Sequence, residues 1–409
     1  MTSLKTTAIF LLAGILLFSC ESENTSPKGI KEIKLSATDN SVVNASNQLG
    51  FDMMQDIVAN AEEHENLLIS PLSVSYALNM THNGAKEETK TEMAQSMNLE
   101  GIPLPEVNES YRHLTESLQN ADDKVTMEIA NSIWYRDTYP VEDEFIQVNQ
   151  DYYDAEVSPI DFSNTEAAKE TMNNWVANKT HDKIDKIVEY INPLDVMFLM
   201  NAVYFKGQWK HTFNKDKTTQ RSFYPRDGEM IQVPTMNIEK DFPFLENDFC
   251  TGVELPYGRG NFSMVLLLPD EGQQPEDIIN NLSSDSWDNL LNTADTTEIL
   301  VSLPKFKFSY NKMLNQTLKN LGVEKAFDEN EANFEKINRN GDLYISRVNH
   351  KSFIDVNEEG TEAAAVTSVG VTTTSMPPNI SFNRPFMFAI REQSTNTVLF
   401  SGIVERPEY

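Results

Sequence analysis

Glu358-Glu359-Gly360-Thr361-Glu362-Ala363-Ala364-Ala365-Val366-Thr367-Ser368-Val369-Gly370-Val371-Thr372-Thr373-Thr374-Ser375-Met376-Pro377-Pro378 is the stretch around which the chain is organised. From Thr361 to Thr374 it is rich in Val, Thr and Ala, carries the single charge of Glu362 and contains no proline, a composition that reads as a β-strand. It is long for one: at ~3.3 Å per residue these residues span roughly 46 Å, beyond the usual strand of ~3–10 residues. Period-two alternation puts Thr361, Ala363, Ala365, Thr367, Val369, Val371 and Thr373 on one face. Ala363, Ala364 and Ala365 are small enough to slide between two neighbouring strands without wedging them apart. No proline removes a ladder donor before Pro377.

Working outward, fourteen residues separate Gly360 from Thr374 and eight separate Thr374 from Phe382 in Phe382-Asn383-Arg384-Pro385-Phe386. This spacing, with the run Glu358 to Ala365, resembles the hinge and reactive-centre loop of the serpins, a family of suicide protease inhibitors. Further family-like blocks extend from about Phe51 to Pro407. The resemblance implies an α+β fold with three β-sheets, about eight or nine helices and an exposed reactive-centre loop. Its hinge would be Glu358, Glu359, Gly360, Thr361, Glu362, Ala363, Ala364 and Ala365.

The chain has 409 residues and a formal net charge of −29, which argues against nucleic acid, because phosphate recognition needs a basic face. Its cysteines are Cys20 and Cys250. Lys5 and the apolar run Ala8 to Phe18 have the charge and length of a signal-peptide core and are too short to span a membrane. Leu17-Phe18-Ser19-Cys20 resembles a bacterial lipoprotein box, with Phe18 departing from the usual small residue; an ordinary secretory peptide is the competing reading. The expected organisation is a signal peptide over 1–19, a flexible tether over 20–41 anchored by lipid at Cys20, and one domain over 42–409. The protein would then be exported and lipid-anchored in the bacterial cell envelope, periplasm-facing or surface-exposed. Loss of the leader leaves Cys250 without an internal partner, so no disulfide is expected.

Within the domain, Phe51, Met54, Ile57 and Val58 predict a helix over Phe51 to Glu63. Ser70 before Pro71 reads as an N-cap followed by proline at the first helical position. Val125 to Tyr135 reads as a strand, and Phe198 to Trp209, nearly continuously apolar, as a central strand buried on both faces. The runs flanking Tyr257-Gly258-Arg259-Gly260-Asn261 read as a hairpin; the G-x-G lacks the third glycine of a nucleotide loop. Val301 to Phe308 reads as an alternating strand, Met313 to Gly322 as a helix, Leu343 to Val356 as a strand leading to the hinge, and Phe386 to Arg391 and Thr397 to Val404 as core strands. The serpin resemblance assigns Ser70, Ser73, Asn201 and His350 to hydrogen bonds beneath strands that part, Trp209 to the place where the loop enters, and Lys305 and Glu358 to an ion pair at the top of the sheet. As an exposed pair the last would contribute roughly 0–1 kcal/mol.

No G-x-S-x-G, H-E-x-x-H or C-x-x-C occurs, and His64, His82, His113, His181, His211 and His350 are scattered, so no catalyst, metal or cofactor is expected. The resemblance instead implies that a serine or cysteine protease attacks the loop of a monomer. The acyl-enzyme forms, and the freed segment inserts as a new strand that drags the protease to the far pole. Thr374-Ser375 is the expected bond; no Lys or Arg lies between Thr361 and Asn383, which disfavours trypsin-like cleavage and favours elastase-like pockets. A non-inhibitory binding protein is the alternative, and Thr361 with the three alanines speaks against it.

Overall fold

Strand β4 (Met197–Gln208) forms where the apolar run predicts it and is covered on both sides. Val203 and Phe205 enter the main core, while Met200 and Ala202 pack with Met172, Trp175 and Val176 of helix α6 (Thr165–Lys179), which lies across the outer face. The computed structural model describes residues 30–61, 64–192, 194–226, 228–341, 343–361 and 378–409. Cys20, Glu362, Ala363, Ala364, Ala365, Thr374 and Ser375 lie outside the described residues.

β4 belongs to a six-stranded sheet ordered β10 (Phe306–Met313), β11 (Asn349–Asn357), β12 (Gly360–Thr361), β4, β2 (Val125–Arg136), β3 (Ala155–Ile160). The β2–β4 ladder is antiparallel and unbroken from Val125 opposite Gly207 to Tyr135 opposite Met197. The other sheet runs β1 (Leu67–Ile69), β15 (Val398–Val404), β14 (Phe386–Glu392), β8 (Phe262–Pro269), β7 (Cys250–Pro256), β6 (Ile231–Glu246), β9 (Asp295–Pro304), β13 (Asn379–Ser381), with β5 (Thr219–Phe223) paired to β6. The second and third of the three expected sheets are continuous here, because the 16 residues of β6 serve both.

The remaining helices are α1 (Ala37–Ala59), α2 (Pro71–His82), α3 (Glu87–Ser96), α4 (Leu104–Gln119), α5 (Asp143–Tyr153), α7 (Pro275–Ile279), α8 (Ser284–Asn292) and α9 (Asn315–Asn320). α2 carries the expected cap: Ser70 Oγ accepts from Ser73 N and Pro71 opens the helix. It supports the six-stranded sheet from inside, contacting β4.

Five expectations are corrected. α1 starts at Ala37 rather than near Phe51, fixed by a capping box between Ser36 and Asp39; its buried Ser46 and Asn47 interrupt the apolar spacing that would have revealed it. Residues 37–41, expected within the tether, belong to this helix, and Ile33 is already buried, with its N–H donating to Ser394 Oγ. Val301 to Phe308 is two strands in different sheets, broken at Lys305, whose N–H turns aside to Pro234 O. The strand leading to the hinge begins at Asn349; Leu343 to Val348 is irregular, and α9 is one short helix ahead of Gly322, whose φ is +98°.

Candidate functional site

β12, only Gly360 and Thr361, lies between β11 and β4. Thr361 pairs with Val356 on one side and Gly207 on the other, and Gly360 pairs with Asn357 and Gln208. Among the described residues β4 and β11 form no ladder with each other. The sheet therefore holds an opening whose upper end is occupied by two residues.

That upper end is tightly determined. Gly360 has φ +148°, and a Cβ there would sit 2.1 Å from Gly207 O, so glycine is needed where the chain turns into the sheet. Trp209 N donates to Glu359 O and Trp209 Nε1 to Asn357 O, both at 2.9 Å, while Phe213 N donates to Glu358 O at 2.9 Å. The Trp209 indole stacks on Tyr257 at 4.3 Å between ring centroids. Tyr257 OH and Thr361 Oγ1 share a hydrogen bond of 2.8 Å, and Thr361 is 4% exposed. Burial pushes the Tyr257 phenol far above its ordinary range, so it serves as a neutral hydroxyl.

Beside it Lys305 Nζ meets Glu358 Oε2 at 3.0 Å, and Thr218 Oγ1 donates to Glu358 Oε1 at 2.8 Å. The expectation of an exposed pair is corrected on one side: Glu358 is buried, because the turn tucks it under the strand ends, and Lys305 is half-buried. Burial opposes ionisation of Glu358, but hydrogen bonds from its own backbone N–H, Lys305 and Thr218 prevail and hold its carboxyl below the usual range. Lys215 pairs with Glu359 on the outside of the same turn.

Next to Thr361 a small pocket of about 20 Å³ lies between Tyr204 and Phe205 of β4 and Phe353 and Ile354 of β11, lined also by Thr180, Lys183 and Ile184. Farther down the same two strands a separate cavity of about 690 Å³ is lined by residues of β4, β11 and α2. Ser73, Asn201 and His350 line this cavity. His350 Nε2 accepts from Ser70 N at 3.2 Å, and Ser70 Oγ donates to Leu399 O at 2.7 Å. Burial pushes the His350 imidazole from 6.5 down to about 4, against a backbone hydrogen bond with Leu68, so the ring is neutral near pH 7. Asn201 bonds neither serine nor histidine. Its Nδ2 donates to Asn131 Oδ1 at 2.8 Å, across the β2–β4 ladder, and its own buried Oδ1 has no partner among the described residues.

Ser70, Ser73, Asn201 and His350 thus come together at the base, and Trp209, Lys305, Glu358, Glu359, Gly360 and Thr361 at the top. Sequence reading missed Tyr257, placed in a hairpin turn, and Thr218, Lys215 and Asn131 as partners. An aromatic just ahead of Gly258 was the one visible signal; its stacking on Trp209 depends on how two distant strands meet.

Residues 44–407 match the family model described as serpin (serine protease inhibitor). A serpin-like protein of Methanosarcina mazei is 34% identical over 381 residues, covering 90% of this chain and 88% of that protein. The native-state structure of tengpin, a thermophilic serpin, superposes with a TM-score of 0.83 at 35% identity, covering 93% of this chain and 97% of tengpin. Human thyroxine-binding globulin, solved in complex with its hormone, is similar at TM-score 0.83 and 30% identity, covering 91% of this chain and 100% of that one.

Proposed function

The chain belongs to the serpin family, and we propose that it is an inhibitory member that traps serine or cysteine proteases as covalent acyl complexes. The family acts by inhibiting proteases or by binding, not by catalysis, and includes carriers such as thyroxine-binding globulin, so inhibition needs its own support. That support is the two-residue strand between β11 and β4, which among the described residues form no ladder with each other. Continuing the register of β12 downward would bring Ala363 level with Phe205 and Ile354, Ala365 with Val203 and Ser352, and Thr367 with Asn201 and His350. Alanines would thereby pass the small pocket next to Thr361, and a threonine hydroxyl would reach the level of the unpartnered Asn201 Oδ1.

Attack on Thr374-Ser375 would form the acyl-enzyme and cut the loop, releasing residues 362–374 to follow Thr361 into the sheet. Each new ladder bond contributes roughly 0.5–1.5 kcal/mol net, so filling the opening releases on the order of 10 kcal/mol. The uncut chain would persist because of a barrier rather than because it is the most stable form. Small Thr374 and the absence of Lys or Arg between Thr361 and Asn383 favour elastase-like or broad-specificity proteases. Lipidation at Cys20 would hold the protein at the bacterial envelope; labelled fatty acid incorporated by the natural chain and not by Cys20→Ala tests this.

The test of inhibition is incubation with pancreatic-type elastase followed by a denaturing gel and mass determination of the cut. A band at the summed mass, with cleavage after Thr374, is expected; cleaved product alone would show a protease substrate and favour the carrier alternative.

A further inference from the structure

The cavity lined by β4, β11 and α2 has a volume of about 690 Å³. Sites for small organic ligands run at roughly 300–1,000 Å³ and are mainly apolar with a few placed polar groups. This cavity has that make-up. Val74 and Leu78 of α2, Leu199 and Met200 of β4, and Leu343 supply apolar walls. Asn201, 8% exposed, offers Oδ1 as a buried acceptor without a donor, an arrangement that costs stability until something donates to it. His350 on the same lining is neutral, and Arg347 is paired with Asp195, so no unpaired cation waits for an anion among these groups. At the rim Tyr190, Leu194 and Tyr344 are 59%, 83% and 43% exposed, an unusual concentration of apolar side chains in water.

We propose that this cavity binds a small neutral molecule with an apolar body of aromatic size and one O–H or N–H group that donates to Asn201 Oδ1. Its consequence, unlike the binding itself, rests on the inhibitory reading. Register continued past Thr367 brings Val369 level with Leu199 and Val371 level with Met197, so ligand and inserting segment would claim one volume. An occupied cavity stops insertion above Asn201. Water then hydrolyses the acyl ester, the protease leaves intact, and the inhibitor is consumed as a substrate.

The experiment is a fluorescence titration of the full chain with 2-naphthol and with 2-methoxynaphthalene, whose O-methyl group removes the donor and adds one apolar carbon that by itself favours binding. About tenfold tighter binding of 2-naphthol is expected, the factor one hydrogen bond to a buried acceptor confers. Leu199→Trp and Ala77→Phe, which fill the cavity from opposite walls, should each abolish binding of both probes while leaving the melting transition cooperative. Equal affinity for the two probes, no binding of either, or binding untouched by both filling variants overturns the proposal. The titration is repeated on loop-cleaved protein, where binding should be lost. Donor-selective binding that survives cleavage would sustain the cavity site while contradicting insertion, so the two readings fail separately.

Discussion

At the upper end of the opening between β4 and β11, Trp209, Tyr257, Thr361 and Glu358 each have a hydrogen-bond partner, and a Cβ on Gly360 would already collide with its neighbour strand. At the lower end Asn201 keeps an unpaired oxygen beside a cavity of about 690 Å³, under a rim of exposed Tyr190, Leu194 and Tyr344. One sheet is thus completed at one end and left incomplete at the other. On the proposed inhibitory reading the contrast would give insertion a direction: the upper end would set the register, and the lower end would supply the free energy still to be gained.

The largest effect should come from breaking the finished end. Thr361→Arg puts a cation where the side chain is buried against Tyr257, and an uncompensated buried charge costs on the order of 3–5 kcal/mol. Covalent complex should vanish from the denaturing gel and cleaved product replace it; an unchanged complex yield would remove the role given to β12. Next comes acidification of the unfinished end. His350 titrates near 4 when folded against an ordinary 6.5, so the unfolded chain binds the extra proton between those values. The stability contributed by His350 should be full above pH 6.5 and fall by about 3 kcal/mol as pH drops to about 4, below which the lowered carboxyl of Glu358 adds a further loss. Denaturant titrations on wild type and His350→Gln should show a shallower fall in the variant, with a residue left by His82, which burial also lowers to about 4.

Gly360→Ala disturbs the upper end more gently. At φ +148° with Gly207 O only 2.1 Å from the new Cβ, it should cost on the order of 1–3 kcal/mol, seen as a lower melting temperature and faster exchange of the Trp209 indole N–H. Smallest is Lys305→Met. Lys305 keeps about a third of its side chain in water, and Glu358 retains Thr218, so a change under about 1 kcal/mol is expected in denaturant unfolding. A larger loss would mean that the pair does more than register the strand end.

What could be read from the sequence follows this division. The Ser70-Pro71 cap and the apolar run of β4 are local signals, carried by neighbouring residues, and both appear where expected. The break at Lys305 was invisible because Val301 to Phe308 alternates correctly for either sheet, and only the tertiary path decides that Phe306 joins the other one. The start of α1 is not legible because Ser46 and Asn47, polar residues that the sequence alone would put in water, are buried and bonded to Ser75 and Asn396. Within the site, Thr361 and Glu358 were found through the hinge pattern. Tyr257 was not, since its task depends on a hairpin meeting Trp209 across 48 residues of chain, a distance no periodicity spans.

The most direct test of the account compares the melting temperature of the intact protein with that of protein nicked once in the loop between Thr361 and Asn383. A completed six-stranded sheet predicts a rise of roughly 10 °C, the scale set by on the order of 10 kcal/mol in a chain of 409 residues. A nicked protein that melts at or below the temperature of the intact one would contradict insertion and the account built on it.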